Sequence, residues 1–257
     1  MGSRKGSYKE KRDSRIGEEI VTKFNETARI IEYKDSRNAT VLLLETGEIV
    51  EDVRYQAFQK GQIIGELTPT VYGVGVRGRL ETGESDSYCY RLWTNILTRC
   101  YNDKYKESRP TYKDVTICEE WKHYQEFKKW FYKNYYEVKG ERTELDKDIL
   151  KRGNKIYSPN YCIFVPQRIN ALFTKRDSRR GELPIGVSKH SSCKGYVSTV
   201  SINGKNCGRC FHTIEEAFED YKTRKELEIK RIAEEYRGLI PIKLYEAMYR
   251  YEVNVDD

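Results

Sequence analysis

Asn203-Gly204 stands between two runs of alternating side chains, Tyr196-Val-Ser-Thr-Val-Ser-Ile202 and Lys205 to Phe211. A two-residue hairpin turn demands two adjacent positions that tolerate positive φ, so this dipeptide predicts a tight antiparallel hairpin. Ile185-Gly-Val187 upstream supplies a third short strand. Thr213 with Glu216 then forms a capping box. Ala217, Phe218, Tyr221, Leu227, Ile232 and Ala233 carry an apolar stripe to about Tyr236. Residues 176–257 therefore read as three strands backed by one long helix. Lys189, Lys194, Lys205 and Arg209 are expected on the sheet face that the helix leaves open, since a sheet of this kind can enter a major groove.

The rest of the chain reads as separate small modules. Its 257 residues suit two or three domains rather than one large core. Residues 16–67 hold β-rich runs at 28–33 and 39–45 around the polar turn KDSRN, with Thr46-Gly47 as a second hairpin signal. They predict a small curled sheet or barrel-like module of three to five strands. The Gly-rich stretch VYGVGVRGRLETG, within 68–84, lacks a helix at phosphate-loop spacing and reads as a linker. Residues 85–175 open with helices. Leu92, Trp93, Ile96, Leu97 and Cys100 fall at helical spacing, as do Trp121, Tyr124, Phe127, Trp130 and Phe131. These aromatics read as packing between two helices, with His123 half-buried on the second. The overall class is α+β.

Charge points to a polyanion. The net charge is +7, with 47 Lys and Arg spread along the chain rather than gathered in a tail. Residues 1–15 read as a disordered basic lead-in without the apolar core of a secretory signal. In TKRDSRRGELP, Lys175, Arg176, Arg179 and Arg180 read either as a linker lying on a phosphate backbone or as a solvated one. No apolar run approaches the ~20 residues that span a bilayer, so no membrane partner is expected. Seven cysteines suggest reduced thiols in a cytoplasm. His190-x-x-Cys193 and Cys207-x-x-Cys210 have zinc-ligand spacing, but 207 and 210 have opposite parity on a strand, and free cysteines are the competing reading.

The chemistry concentrates in residues 144–173, ELDKDILKRGNKIYSPNYCIFVPQRINALF. A short strand ends in acid, a Gly-Asn turn and an apolar run follow, and a Pro-led helix carries an asparagine. A hairpin and helix with oxygen ligands at the first strand's end and on the helix is the ββα-metal arrangement. Asp146 and Asn170 are donors of the right hardness for Mg²⁺. Asp148 is the alternative ligand, because a strand puts 146 and 148 on one face. On the residues alone, Asp146 and Asp148 also read as turn caps and Asn170 as a helix-surface residue.

The stretch LDKDI…GNKIYSPNYCIFVPQRINALF, with RCYN and VTICEEW upstream, resembles the phage-borne HNH endonucleases of the His-Me finger superfamily. The 16–67 segment is similar to a small β module often found before such domains. The last segment resembles the ethylene-response-factor DNA-binding domain as borrowed by homing endonucleases. The resemblance implies a phage protein, acting in the bacterial host cytoplasm as monomer or homodimer. It would cut or nick double-stranded DNA at specific sequences with Mg²⁺ or Mn²⁺. Asp146 matches the family's metal ligand, and Asn170 its helix-borne one. Tyr161, after Ser158-Pro159-Asn160, stands at the central asparagine. Lys147 stands where the family has its histidine base. A lysine is protonated near pH ~10.4 in water and is a poor base at neutral pH. Lys147 is therefore expected to act at the scissile phosphate, with metal-bound hydroxide or a tyrosine such as Tyr157 making the attack. The competing account is a catalytically degenerate DNA-binding protein serving as a phage regulator or counter-defence factor.

Overall fold

The computed structural model describes residues 14–174, 182–190 and 193–255. Helices and several small sheets mix in an α+β architecture. Two compact units partition the chain: Met1–Lys133 with Lys155–Ser158, and Asn134–Asn154 with Pro159–Asp257.

The first unit begins with an antiparallel meander of β1 (Glu19–Val21), β2 (Thr27–Asp35), β3 (Asn38–Leu43) and β4 (Ile49–Val53), followed by helix α1 (Tyr55–Gln59). Every second residue of β3 is buried, so Ala39, Val41 and Leu43 meet Ala28 and Ile30 of β2, with Phe58 of α1 against them. A register shift between Ile30 and Glu32 changes the parity and turns Tyr33 inward. No pairing of β4 with β1 closes the sheet among the described residues, so of the curled sheet and the barrel expected, the structure has the open sheet.

The stretch expected as a linker, 68–84, is folded. Strands β5 (Pro69–Val71) and β6 (Gly75–Val76) form a hairpin, and Val76 bridges His123. Gly75 makes the close approach: a Cβ there would stand 2.5 Å from Leu97 and 3.2 Å from the Trp93 ring. Gln125 Nε2 then donates to the carbonyls of Arg77 at 3.3 Å and Arg79 at 2.9 Å. The glycines that suggested a flexible tether instead let backbone lie against an aromatic core.

Helix α2 (Tyr88–Tyr101) starts at Ser87, whose hydroxyl accepts the Tyr90 N–H, and buries the expected stripe of Leu92, Trp93, Ile96, Leu97 and Cys100. Helix α3 (Asp103–Ser108) follows, capped by Asn102. After β7 (Thr116–Ile117), the single helix expected around Trp121 is broken into α4 (Glu119–Lys122) and α5 (Tyr124–Asn134). The break is His123, which is extended and exposed because its backbone bridges Val76. Trp93, Trp121, Tyr124 and Phe127 are fully enclosed, and Trp93 Nε1 donates to the Trp121 carbonyl at 2.8 Å. Strand β8 (Thr143–Asp146) belongs to the second unit, while β9 (Ile156–Tyr157) pairs parallel with β7 in the first.

In the second unit, β8 pairs antiparallel with β10 (Ile163–Pro166), matching Asp146 to Ile163 and Thr143 to Pro166. Pro166 leads into α6 (Gln167–Phe173). Strands β11 (Val187–Ser188), β12 (Tyr196–Ile202) and β13 (Lys205–Phe211) form the expected antiparallel sheet. Asn203 (φ 51°) and Gly204 (φ 75°) are both left-handed, as their turn requires. The capping box of Thr213 and Glu216 opens α7 (Ile214–Glu235), and a further helix, α8 (Ile242–Tyr249), follows Pro241.

Helix α7 serves two cores. Its first half brings Tyr221 against Val200 of β12. Its second half packs Ile229, Ile232 and Ala233 on Ile163, Val165 and Ile169 of the β8–β10–α6 finger, with Leu244 and Met248 of α8. The boundary expected at 175/176 therefore falls inside one compact unit. A long apolar stripe needs a partner along its whole length, and the three-stranded sheet covers only part of it.

Candidate active site

Strand β8 sorts its side chains by parity. Thr143 and Leu145 are buried, while Glu144 and Asp146 share the other face. Asn170 reaches that face from α6, its Nδ2 donating to Glu144 Oε2 at 2.9 Å. The finger thus brings Asn170 to the acidic strand face through Glu144, a residue the sequence reading passed over. The strand period of two, counted back from Asp146, is the signal that points to it.

Asp146 is the keystone of the turn. Its Oδ1 accepts the N–H of Asp148 at 2.8 Å and of Ile149 at 2.7 Å. Burial pushes this carboxyl above its ordinary range; the two amide bonds pull the other way, and the nearby Asp148 charge adds to the rise. Asp146 therefore does cap the turn, and this leaves its second oxygen for other chemistry. Asp148 is half exposed and turned to Lys147, whose Nζ lies 2.7 Å from both of its carboxylate oxygens.

Lys147 is tied down on three sides. Its side chain is 12% exposed, and besides the Asp148 pair its ammonium donates to the Asn154 carbonyl at 3.0 Å. Asn154 Nδ2 returns a bond to the Lys147 carbonyl at 2.8 Å. The two residues clamp the turn that Gly153 (φ 69°) allows. Tyr161 carries Lys151 over its ring at 4.7 Å.

Tyr157 lies in the first unit and is 2% exposed, with Arg99 Nη1 donating to its hydroxyl at 2.9 Å. An attacking role needs an exposed phenolic oxygen, and this one is enclosed. The expectation that Tyr157 makes the attack is corrected on that ground.

Glu144, Asp146 and Asn170 together offer hard oxygen donors, the type Mg²⁺ and Mn²⁺ prefer. Among the described residues no group of three or more His, Cys, Asp or Glu side chains converges as a ligand set. The fit to a divalent cation thus depends on Asn170 beside Glu144, with Asp146 on the same strand face.

The three-stranded sheet corrects the expected reading surface. Ile202 pairs with Lys205 and Ser198 with Arg209. Ser198 is fully buried under α7, so Lys205 and Arg209 share the helix side of the sheet. Arg209 Nη1 pairs there with Asp220 of α7 at 2.9 Å. Lys189 stands over the Tyr196 ring, 5.6 Å from its centroid, on that same side. The open side carries Thr199, Ser201, Asn206, Gly208 and Cys210, all small and uncharged. The two-residue turn fixes this parity, since a one-residue slip would exchange the faces. Lys194 is exposed in the loop before β12, and Lys175, Arg176, Arg179 and Arg180 lie outside the described residues.

The zinc spacing does not converge. Cys207 and Cys210 point to opposite sides of β13, whose register with β12 is unbroken, and Cys193 meets Cys210 instead. All seven cysteines are free thiols. No helix among the described residues is long and apolar enough to cross a membrane. No protein-family model, no curated protein and no solved structure matches this chain.

Proposed function

We propose that the chain is a sequence-specific DNA endonuclease or nickase of the HNH type, dependent on Mg²⁺ or Mn²⁺ and active on double-stranded DNA in the cytoplasm of a phage-infected bacterium. The supporting observation is the finger itself: Glu144 and Asp146 share one strand face, and Asn170 reaches it from the next helix. Asp146 and Asn170, with Glu144, would hold the cation, which when bound supplies positive charge to a phosphodiester as its P–O bond breaks. The protein's own contribution is positional. The Asp148 and Ile149 amides fix the orientation of Asp146, and Glu144 fixes that of Asn170. Lys147 holds the turn that carries Asp146, and its charge stands beside the site.

A specific observation favours a second reading, that of a DNA-binding protein without cutting activity. The ammonium of Lys147 is committed to Asp148 and Asn154, and none of the three histidines lies in the finger. Conversion of supercoiled plasmid, with Mg²⁺, with Mn²⁺ and with chelator, decides between them when wild type is run beside Asp146→Ala. Metal-dependent nicks or breaks that vanish in the variant are the expected result. Salt-sensitive DNA binding without a cut on several DNA sources would establish the second reading instead.

A further inference from the structure

Arg99 raises a question of charge balance in the first unit. It lies on the last turn of α2, mostly enclosed, and its guanidinium faces phenols rather than acids. Nη1 donates to the Tyr157 hydroxyl at 2.9 Å, and the Tyr112 ring lies 5.6 Å away. Burial works against this charge, while the interactions with Tyr157, Tyr112 and Tyr105 shift the group upward. A guanidinium carries five N–H donors in a planar fork. A cation taken out of water is costly unless an anion meets it.

Two more cations lie along the same run of tyrosines. The Tyr112 ring meets Tyr105 edge-on at 5.5 Å, and Arg109 both donates to the Tyr105 hydroxyl at 3.0 Å and stacks on its ring. Lys155 Nζ donates to the carbonyl of Thr111 at 3.3 Å. The neighbouring acids Asp103, Glu107 and Asp114 are exposed. Among the described residues, none of these three cations has a carboxylate within ion-pair distance, although charged surface neighbours elsewhere in the chain are commonly paired. Arg99 and Arg109 are thus joined through the Tyr112 and Tyr105 rings, with Lys155 bonded to the residue before Tyr112, and together they carry N–H donors of the kind that hold a tetrahedral oxyanion.

We propose that Arg99, Arg109 and Lys155, with the hydroxyls of Tyr105 and Tyr112, bind a phosphate group. Its source is either a phosphodiester of a nucleic-acid backbone or a free phosphate. The phosphodiester source rests on the DNA reading above; the phosphate chemistry does not.

The test uses the full chain and a labelled DNA duplex, with binding followed by anisotropy over a salt series. Arg109→Gln with Lys155→Gln alters exposed residues only, so the fold is kept, and Arg99→Lys tests the fork while retaining the charge. Each lost phosphate contact lowers the slope of log affinity against log salt by about 0.9, so the double variant should lose about 2 in slope. Arg99→Lys should weaken binding several-fold with little change in slope. Inorganic phosphate, followed by ³¹P line broadening, is the second arm. An unchanged duplex slope with phosphate binding lost in the variants assigns the site to the free ion. Unchanged slope and unchanged phosphate binding together overturn the proposal. A plasmid left uncut while the slope falls refutes the nuclease reading and sustains the phosphate site.

Discussion

Lys147→Met separates a lysine that staples a turn from one that acts on DNA. The methionine keeps most of the packed stem and removes the ammonium. What is lost is the bond to the Asn154 carbonyl and the pair with Asp148. A hydrogen bond from a charged donor contributes about 1.5–3 kcal/mol. The Asp148 pair adds only about 0–1 kcal/mol, because that carboxylate is half exposed and water replaces its partner. The variant should therefore lose about 2–3 kcal/mol. At about 2–4 °C per kcal/mol for a domain of this size, its melting midpoint should fall by roughly 5–10 °C. Urea and thermal unfolding of the full chain, with and without Mg²⁺, measure this directly, and the plasmid assay is run well below either midpoint. A variant that melts with wild type to within about 0.5 kcal/mol would refute the clamp. A stable variant that has lost cutting would instead place Lys147 in the chemistry. Lys147→His should also destabilise, since an imidazole is too short to reach both Asp148 and Asn154.

Arg224→Met should be more damaging. Arg224 and Asp220 are nearly enclosed and 2.6 Å apart, and Arg224 also donates to the Ser198 hydroxyl and to the carbonyls of Cys207 and Ser198. Removing one partner of a buried pair costs about 3–5 kcal/mol, read as lost amide protection in β12 and β13. Retention of wild-type protection would show the network to be dispensable. Asp146→Asn should act through pH. Burial raises the carboxyl's pKa in the folded chain, so the folded state holds the proton more tightly than the unfolded one. Ionisation therefore opposes folding, fully so once the pH exceeds the folded pKa and not at all below the unfolded one. The neutral amide can still accept the Asp148 and Ile149 N–H groups. Metal-free Asp146→Asn should thus melt above wild type near about pH 7 and with it near about pH 3, and Mg²⁺ should stabilise wild type alone. A variant that melts lower at neutral pH would contradict this account.

Much of the architecture was legible because it depends on local chemistry. Asn203-Gly204 closes its hairpin because both residues accept left-handed backbone, and Thr213 starts α7 because its hydroxyl and Glu216 satisfy end amides. The stripe from Leu92 to Cys100 needs only helical spacing to predict burial. The helix break at His123 was not legible, because it is made by pairing with Val76, far away in sequence. The same holds for residues 68–84, where glycines read as slack until Trp93 and Leu97 are seen beneath Gly75.

At the candidate site the division is sharper. The sequence by itself determined the oxygen-rich turn, the Pro-led helix after it and the absence of a histidine at Lys147, since these are matters of residue type and order. Only the tertiary structure decided that Asn170 meets Glu144, that Lys147 bonds Asn154 across the turn, and that Lys205 and Arg209 face α7. It alone showed Arg99 enclosed among tyrosines, with no acid paired to it among the described residues. Residue type sets what a side chain can bind, but its partner depends on strand parity and on which distant elements share a core. Those are properties of the packed chain, and no local window of sequence contains them.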